Sequence, residues 1–366
     1  MMKPPFGVVD ADGHINEPEA RLMECLEPPY RNQLHAWVPD QKGSVNPNVT
    51  LASKLAGMDP TLGGRLGTNG PPGFPTPKDW LQAMEEGGME LTVLYPTTLL
   101  GYSSIDDPDY LVAVTRAYNT YVYEDWLKVS PRFRAVALMP LRDVDESIKE
   151  LRRTITELGF SGAFLPAVGF GLLGERRLHP FYAEAERLGC LIAVHGGHAT
   201  AEYMRYPRFI QRHTIGFPVS NIIQMTHMTY EGIFELFPKL RVAYLEAGCT
   251  WVPYLLNRMD EEWEKRGAQE APLCKQPPST YIKSDRVFMH AESGEDLLPQ
   301  TLKILGDNSL VYASDWPHWD HEYPQSIEHL WDREDLTEAQ KRRILADNAR
   351  AMYGLSVDAP QRSAAR

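Results

Sequence analysis

Cysteine is scarce here: four residues in 366, at positions 25, 190, 249 and 274, with no Cys-x-x-Cys pair. That pattern argues against a thiolate zinc site and against a disulfide framework, and it suits a reducing compartment. No apolar run approaches the ~20 residues of a membrane span. The opening Met-Met-Lys-Pro-Pro-Phe lacks the apolar segment of a secretory signal, so a cytoplasmic location is expected. Positive charge is in deficit, with 37 Lys and Arg against 49 Asp and Glu and a net charge of −12. Nucleic acid and anionic membrane are therefore poor partners. A small anionic substrate is still compatible, because a cation and local arginines can reverse the sign inside a cleft. No Gly-rich nucleotide fingerprint follows the first apolar run, and there is no internal repeat or interdomain linker.

What the chain does have is a rhythm of strand then helix. Apolar runs bounded by turn residues occur at Val8–Asp12, Leu91–Tyr95, Arg134–Met139, Gly162–Pro166, Leu191–His195, Val242–Glu246, Val287–His290 and Leu310–Ser314. Amphipathic helical patterns separate most of them, at Asp145–Leu158, Pro180–Leu188, Ile222–Phe237, Val252–Lys265 and Gly294–Leu305. Eight strands alternating with helices predict an α/β chain folded as a closed (β/α)₈ TIM barrel. An open doubly wound sheet is the competitor, weakened by the missing nucleotide fingerprint. One domain is expected over residues 1–356, with a frayed tail over 357–366. Residues 39–77, rich in Gly, Pro, Asn and Thr, read as a long insertion after the first strand. Residues 200–218 read as a second insertion, carrying Arg205, Arg208 and Arg212. Both are expected as loops over the barrel mouth.

The chemistry-bearing residues fall at strand ends. Asp12 and His14 close the first run, and residues spaced by two share one face of a strand, so both can grip one ion. His195 ends the fifth run, Glu246 the sixth, and Asp315 follows the eighth with His318 three residues on. The C-terminal strand ends of a barrel converge on one mouth, where chemistry sits. A single histidine or aspartate at a strand end is more often a turn or cap residue. Five at four separate ends weaken that reading for the set. Carboxylate and imidazole ligands suit zinc, manganese or iron. Glu246 reads equally as ligand, general base or partner of an arginine at the rim. His318 would assist catalysis or support Asp315 from behind. His290 reads as a buried histidine bonded to backbone. The arginines of 200–218 are either solvated charges or anchors for a substrate carboxylate, whose planar geometry guanidinium matches.

These motifs resemble the amidohydrolase superfamily, in particular the branch with aminocarboxymuconate-semialdehyde, resorcylate and carboxyvanillate decarboxylases. The resemblance rests on Asp12-Gly-His14, on His195-Gly-Gly, on Phe-Pro-Lys-Leu-Arg-Val-Ala-Tyr-Leu-Glu-Ala-Gly-Cys-Thr-Trp-Val-Pro at 237–253 and on Ser-Asp-Trp-Pro-His at 314–318. It implies Asp12, His14, His195 and Asp315 as metal ligands, with Asp315, Glu246 and His318 as catalytic groups and Arg205, Arg208 and Arg212 as substrate contacts. It also implies one divalent ion, zinc or manganese before iron; Glu246 and His198 leave a second ion conceivable. Two departures stand out: Asp12 replaces the first histidine of the usual His-x-His pair, and Glu246 stands where the decarboxylases carry histidine. Strand four has no lysine to be carbamylated as a bridge between two metals.

The resemblance implies hydrolysis or non-oxidative decarboxylation of a small carboxylated substrate, aromatic ones included. Hydrolysis would have Asp315 take a proton from water and pass it to the leaving group; decarboxylation would have Asp315 or His318 protonate carbon. Two alternatives are a two-metal oxygenase similar to 2-aminoisobutyrate hydroxylase, and a non-catalytic metal-bearing subunit. A homodimer is expected, with a hetero-oligomer of related chains as the alternative.

Overall fold

A computed structural model describes residues 3–32, 75–197, 206, 208–318 and 320–355. Eight parallel strands run in sequence order around one sheet: β1 (Val8–Ile15), β2 (Met89–Pro96), β3 (Phe133–Leu138), β4 (Gly162–Pro166), β5 (Leu191–His195), β6 (Arg241–Leu245), β7 (Val287–His290) and β8 (Leu310–Val311). Every residue of β4, β5 and β7 is buried. That is expected of parallel strands covered by helices outside and packed side chains inside, and it explains why they read as unbroken apolar runs. The (β/α)₈ barrel expected from the sequence is the fold.

The seam between β8 and β1 closes through backbone bonds beyond the short eighth strand. The Ala11 N–H donates to the Tyr312 carbonyl at 3.0 Å, Asp315 N–H to Asp12 at 3.0 Å, and His14 N–H to Trp316 at 2.8 Å. Buried Asp10 pins the same seam, accepting from Ser314 N–H and Oγ, each at 2.8 Å, and from Thr92 Oγ1 at 2.7 Å. The two ends of the chain's motif pattern thus become neighbours by closing the cylinder.

The pairing of β1 with β2 slips by one residue between Asp10 and Gly13, a bulge of the kind that re-aims side chains beside functional sites. A Cβ built on Gly13 would lie 2.5 Å from the Trp80 ring and 2.6 Å from both Asp10 Oδ2 and Thr92 Oγ1. The glycine of Asp-Gly-His is therefore set by close approach. Gly13→Ala is expected to cost about 1–3 kcal/mol by overpacking, measured as a fall in the urea midpoint with the slope unchanged. Trp80 belongs to the helix Pro77–Gly87, whose start is fixed by a reciprocal Thr76–Asp79 cap. Its indole Nε1 donates to the His14 carbonyl at 3.1 Å, and its ring meets Trp316 edge-on at 4.5 Å.

Most helices fall where the pattern placed them, including His179–Leu188, Val252–Glu270 and Leu298–Leu305. The stretch 200–218 differs from expectation. Its residues 209–218 open a helix, Phe209–Tyr230, with Pro218 inside it. The pattern Ile222–Phe237 marks only its second half; Pro218 and the buried polar Ser220 and Asn221 leave the first half without an apolar stripe. The insertion expected over 39–77 lies outside the described residues up to position 74, as does the tail from 356. No helix among the described residues is long and apolar enough to cross a membrane.

Candidate metal centre

The register sets the strand ends at one height. Pro166 pairs with His195, and His195 with Leu245, so Glu246 emerges one residue beyond the rim. There Glu246 has φ 55°, and Asp315, at the end of the eighth run, has φ 52°. These are left-handed conformations that cost a non-glycine residue roughly 1–3 kcal/mol each. The only two such residues among those described are both carboxylates aimed into the mouth.

Four side chains converge there: Asp12, His14, His195 and Glu246 each offer a ligand atom, all within 4.8 Å of one another. His14 Nε2 lies 3.3 Å from Asp12 Oδ1 and 3.0 Å from Glu246 Oε1; His195 Nε2 lies 3.6 Å from Asp12 Oδ2 and 3.3 Å from Glu246 Oε1. A second group, His14, Glu246, Asp315 and His318, meets the same spacing and shares two members with the first. Asp315 Oδ1 reaches His14 Nε2 at 3.3 Å and His318 Nδ1 at 2.5 Å. Of the residues expected from the sequence, Asp12, His14 and His195 come together; Asp315 joins them through His14 and Glu246. Arg205 lies outside the described residues, Arg208 is exposed at the start of the helix Phe209–Tyr230, and Arg212 is half-buried one turn further on.

The donor set fits a divalent ion. Both Asp12 oxygens, both Glu246 oxygens and the Nε2 atoms of His14 and His195 are buried with no hydrogen-bond partner. Left so, they would carry a large desolvation cost. The other ring nitrogens are occupied: His14 Nδ1 bonds the Pro96 carbonyl at 2.8 Å and His195 Nδ1 the Gly196 carbonyl at 2.9 Å. A carbonyl accepts only from N–H, which leaves each Nε2 lone pair facing the centre. Burial, helped by His318, pushes the His14 imidazole down to about 3, so it stays neutral as a ligand must. Burial and the neighbouring Glu246 and Asp315 charges raise Asp12 well above the usual carboxylate range, the repulsion a cation would relieve. Burial opposes ionisation of Glu246, but the facing imidazoles of His195, His14 and His318 outweigh it and lower its pKa.

The sequence model of the family described as Amidohydrolase matches residues 9–355. The chain belongs to the amidohydrolase family. Among curated relatives, this amidohydrolase is 25% identical over 295 residues to the gamma-resorcylate decarboxylase of Rhodococcus jostii, covering 75% of this chain and 86% of that one. It is 23% identical over 279 residues to the 2-amino-3-carboxymuconate-6-semialdehyde decarboxylase of Dictyostelium discoideum, covering 75% and 76%. Among solved structures it resembles 5-carboxyvanillate decarboxylase of Novosphingobium aromaticivorans, crystallised with manganese. That match has a TM-score of 0.73 at 16% identity and covers 96% of this chain and 98% of that one.

Several residues around the amidohydrolase centre had no signature in the sequence. Thr97, just past β2, places Oγ1 3.1 Å from His318 Nε2, so His318 is held between Thr97 and Asp315. Buried Glu17 in turn accepts the Thr98 N–H at 2.8 Å with Oε2, while Oε1 has no hydrogen-bond partner. Asp10, two residues before Asp12, is turned by the slip in β1 onto Thr92 and Ser314 rather than into the ligand group. His290 is buried as expected but not bonded to backbone: neither ring nitrogen has a hydrogen-bond partner. It ends β7 and lines the cavity beside Glu246, with Glu292 Oε1 3.6 Å from Nδ1.

Burial lifts Glu17 from 4.5 to about 7. A folded-state value above the unfolded one means unfolding releases a proton between these limits, so stability present below pH 4.5 is lost as pH rises through 7. Relative to Glu17→Gln, the wild type is expected to lose up to about 3 kcal/mol between about pH 5 and about pH 8. Urea titrations of both proteins at the two pH values check this; parallel curves would contradict it.

Proposed function

We propose that this amidohydrolase is a metal-dependent carboxy-lyase acting without oxidant on a small carboxylic acid. The observation that carries the reading is the convergence of Asp12, His14, His195 and Glu246 with buried, unpartnered ligand atoms. The decarboxylases among its relatives support the reaction class. One divalent ion, manganese or zinc, is proposed, held by Asp12, His14, His195 and Glu246 with Asp315 on its open side. When bound, the ion supplies a positive anchor for the substrate carboxylate and an adjacent oxygen. The chain's own part is proton handling. The Asp315–His318 pair holds a proton between Oδ1 and Nδ1, and Thr97 keeps the ring in place. Delivered to the carbon that bears the carboxylate, that proton takes up the electron pair released as the carbon–carbon bond breaks and carbon dioxide leaves. Arg205, Arg208 and Arg212 are proposed as anchors for a substrate carboxylate.

The test is turnover of 2,6-dihydroxybenzoate and other hydroxy- and aminobenzoates by manganese-loaded protein in deuterated water. Decarboxylation is expected to release carbon dioxide and leave one deuterium on the ring carbon that lost it. Products of hydrolysis without carbon dioxide would replace this reading. A two-metal oxygenase is the second reading, favoured by the two overlapping ligand groups that share His14 and Glu246. Elemental analysis separates the two: near one equivalent of manganese or zinc supports the lyase, near two of iron the oxygenase. We place the enzyme in the cytoplasm as a homodimer; its four unpaired cysteines, three of them buried, support the reducing compartment.

A further inference from the structure

A polar cavity of about 200 Å³ lies on the β7–β8 side of the metal centre, lined by Asp315 together with His290, Glu292, Asp320, His321 and Glu322. A smaller one of about 70 Å³ shares His290, Glu292, Asp315 and Asp320 with it and reaches Glu246 and His318. The two therefore form one passage leading away from the ligands. His290 is 2% exposed, and neither of its ring nitrogens has a hydrogen-bond partner; the same holds for both ring nitrogens of His321. Leaving such groups dry and unpaired is costly, so the passage is built to receive a polar group. Its charge decides which. Beyond Glu246 and Asp315, which belong to the centre, the described lining carries three carboxylates, Glu292, Asp320 and Glu322, and neither lysine nor arginine. An anionic group would meet repulsion there. A second metal ion is not favoured on this side, because the two groups of side chains close enough to share an ion both lie at His14 and Glu246.

We infer that this passage is a substrate subsite for an ammonium group, carried on the same molecule whose carboxylate meets the metal centre. The inference rests on the carboxylate-at-metal reading proposed above. His290 accepts one ammonium hydrogen through its unprotonated nitrogen, and Glu292 and Asp320 supply the charge. Both carboxylates are reachable from the cavity, with side chains 58% and 30% exposed, and each already sits 3.6 Å from an imidazole, His290 and His213 respectively. The enzyme is thereby tuned to amino-substituted acids rather than to purely phenolic or apolar ones.

The test is calorimetric titration of the manganese-loaded full chain with 4-(aminomethyl)benzoate, 4-methylbenzoate and benzylamine. The aminomethyl acid is expected to bind at least about tenfold more tightly than its methyl analogue, the scale of one charge-assisted hydrogen bond. In Glu292→Gln/Asp320→Asn that ratio is expected to fall to within about threefold, with binding of 4-methylbenzoate unchanged. Equal binding of the two acids in the wild type, or a preference untouched by the double variant, overturns the subsite while leaving the metal reading standing. If 4-methylbenzoate binds equally well after chelation, the metal reading fails instead. The benzylamine arm then decides the subsite alone: binding lost in the double variant supports it, and no binding to the wild type overturns it.

Discussion

Asp315→Asn is expected to lower turnover by about 10²–10⁴-fold, the range of a general acid–base group, while bound metal stays near the wild-type level. The substitution keeps size and shape, so the N–H of Asp315 still donates to Asp12 and its carbonyl still accepts from His318. What it removes is the carboxylate oxygen 2.5 Å from His318 Nδ1. An amide can neither share that proton nor hold the imidazolium beside it. The metal survives because Asp12, His14, His195 and Glu246 form a compact group without Asp315. Steady-state kinetics together with elemental analysis of the same preparation check both halves. His318→Asn is expected to cost a similar factor, and the double variant little more than either single, because residues that act as one unit are not additive. Full additivity would separate the two residues and remove the proton pair from the proposal.

His195→Ala has the opposite signature: metal is lost and activity falls with it. Its Nε2 is one of four ligand atoms in the compact group, and its place is set by the bond from Nδ1 to the Gly196 carbonyl at 2.9 Å. Removing a ligand nitrogen leaves Asp12 and Glu246 facing each other with one imidazole fewer between them. Metal occupancy after dialysis is expected to drop about tenfold or more, in line with the 10–100-fold losses seen when even outer support for a ligand is removed. The same logic predicts that chelating the wild type lowers its melting temperature, since an ion bound only by the folded state stabilises by about 4 kcal/mol at a thousandfold excess over its Kd. His195→Ala is expected to melt near the chelated wild type and to be insensitive to added chelator. Retained metal in this variant would take His195 out of the ligand set.

Three of the four side chains in the compact group were legible because their cues are local. Asp12 and His14 sit two apart on one strand, and His195 closes an apolar run whose bounds match β5 to the residue. The role of Glu246 was not legible: as ligand, base or rim partner it looks the same in sequence. The structure sets it against His14, His195 and His318, and its left-handed backbone turns it inward. The first half of the helix Phe209–Tyr230 was not legible, since Pro218 and the buried polar Ser220 and Asn221 break the apolar period there; its second half falls within the pattern Ile222–Phe237.

Strand count, strand order and the bounds of β4, β5 and β7 were written in the chain, because alternation of buried runs with helices, and the two-residue repeat of a strand, are short-range properties. Which of those strand ends share a ligand sphere was decided only by closure of the cylinder. Closure brings Ser314 to Asp10, His318 to Thr97 and Glu246 to His14. Contacts between residues 221 to 304 positions apart depend on register and on the strained turns at the rim. Neither leaves a mark in local composition.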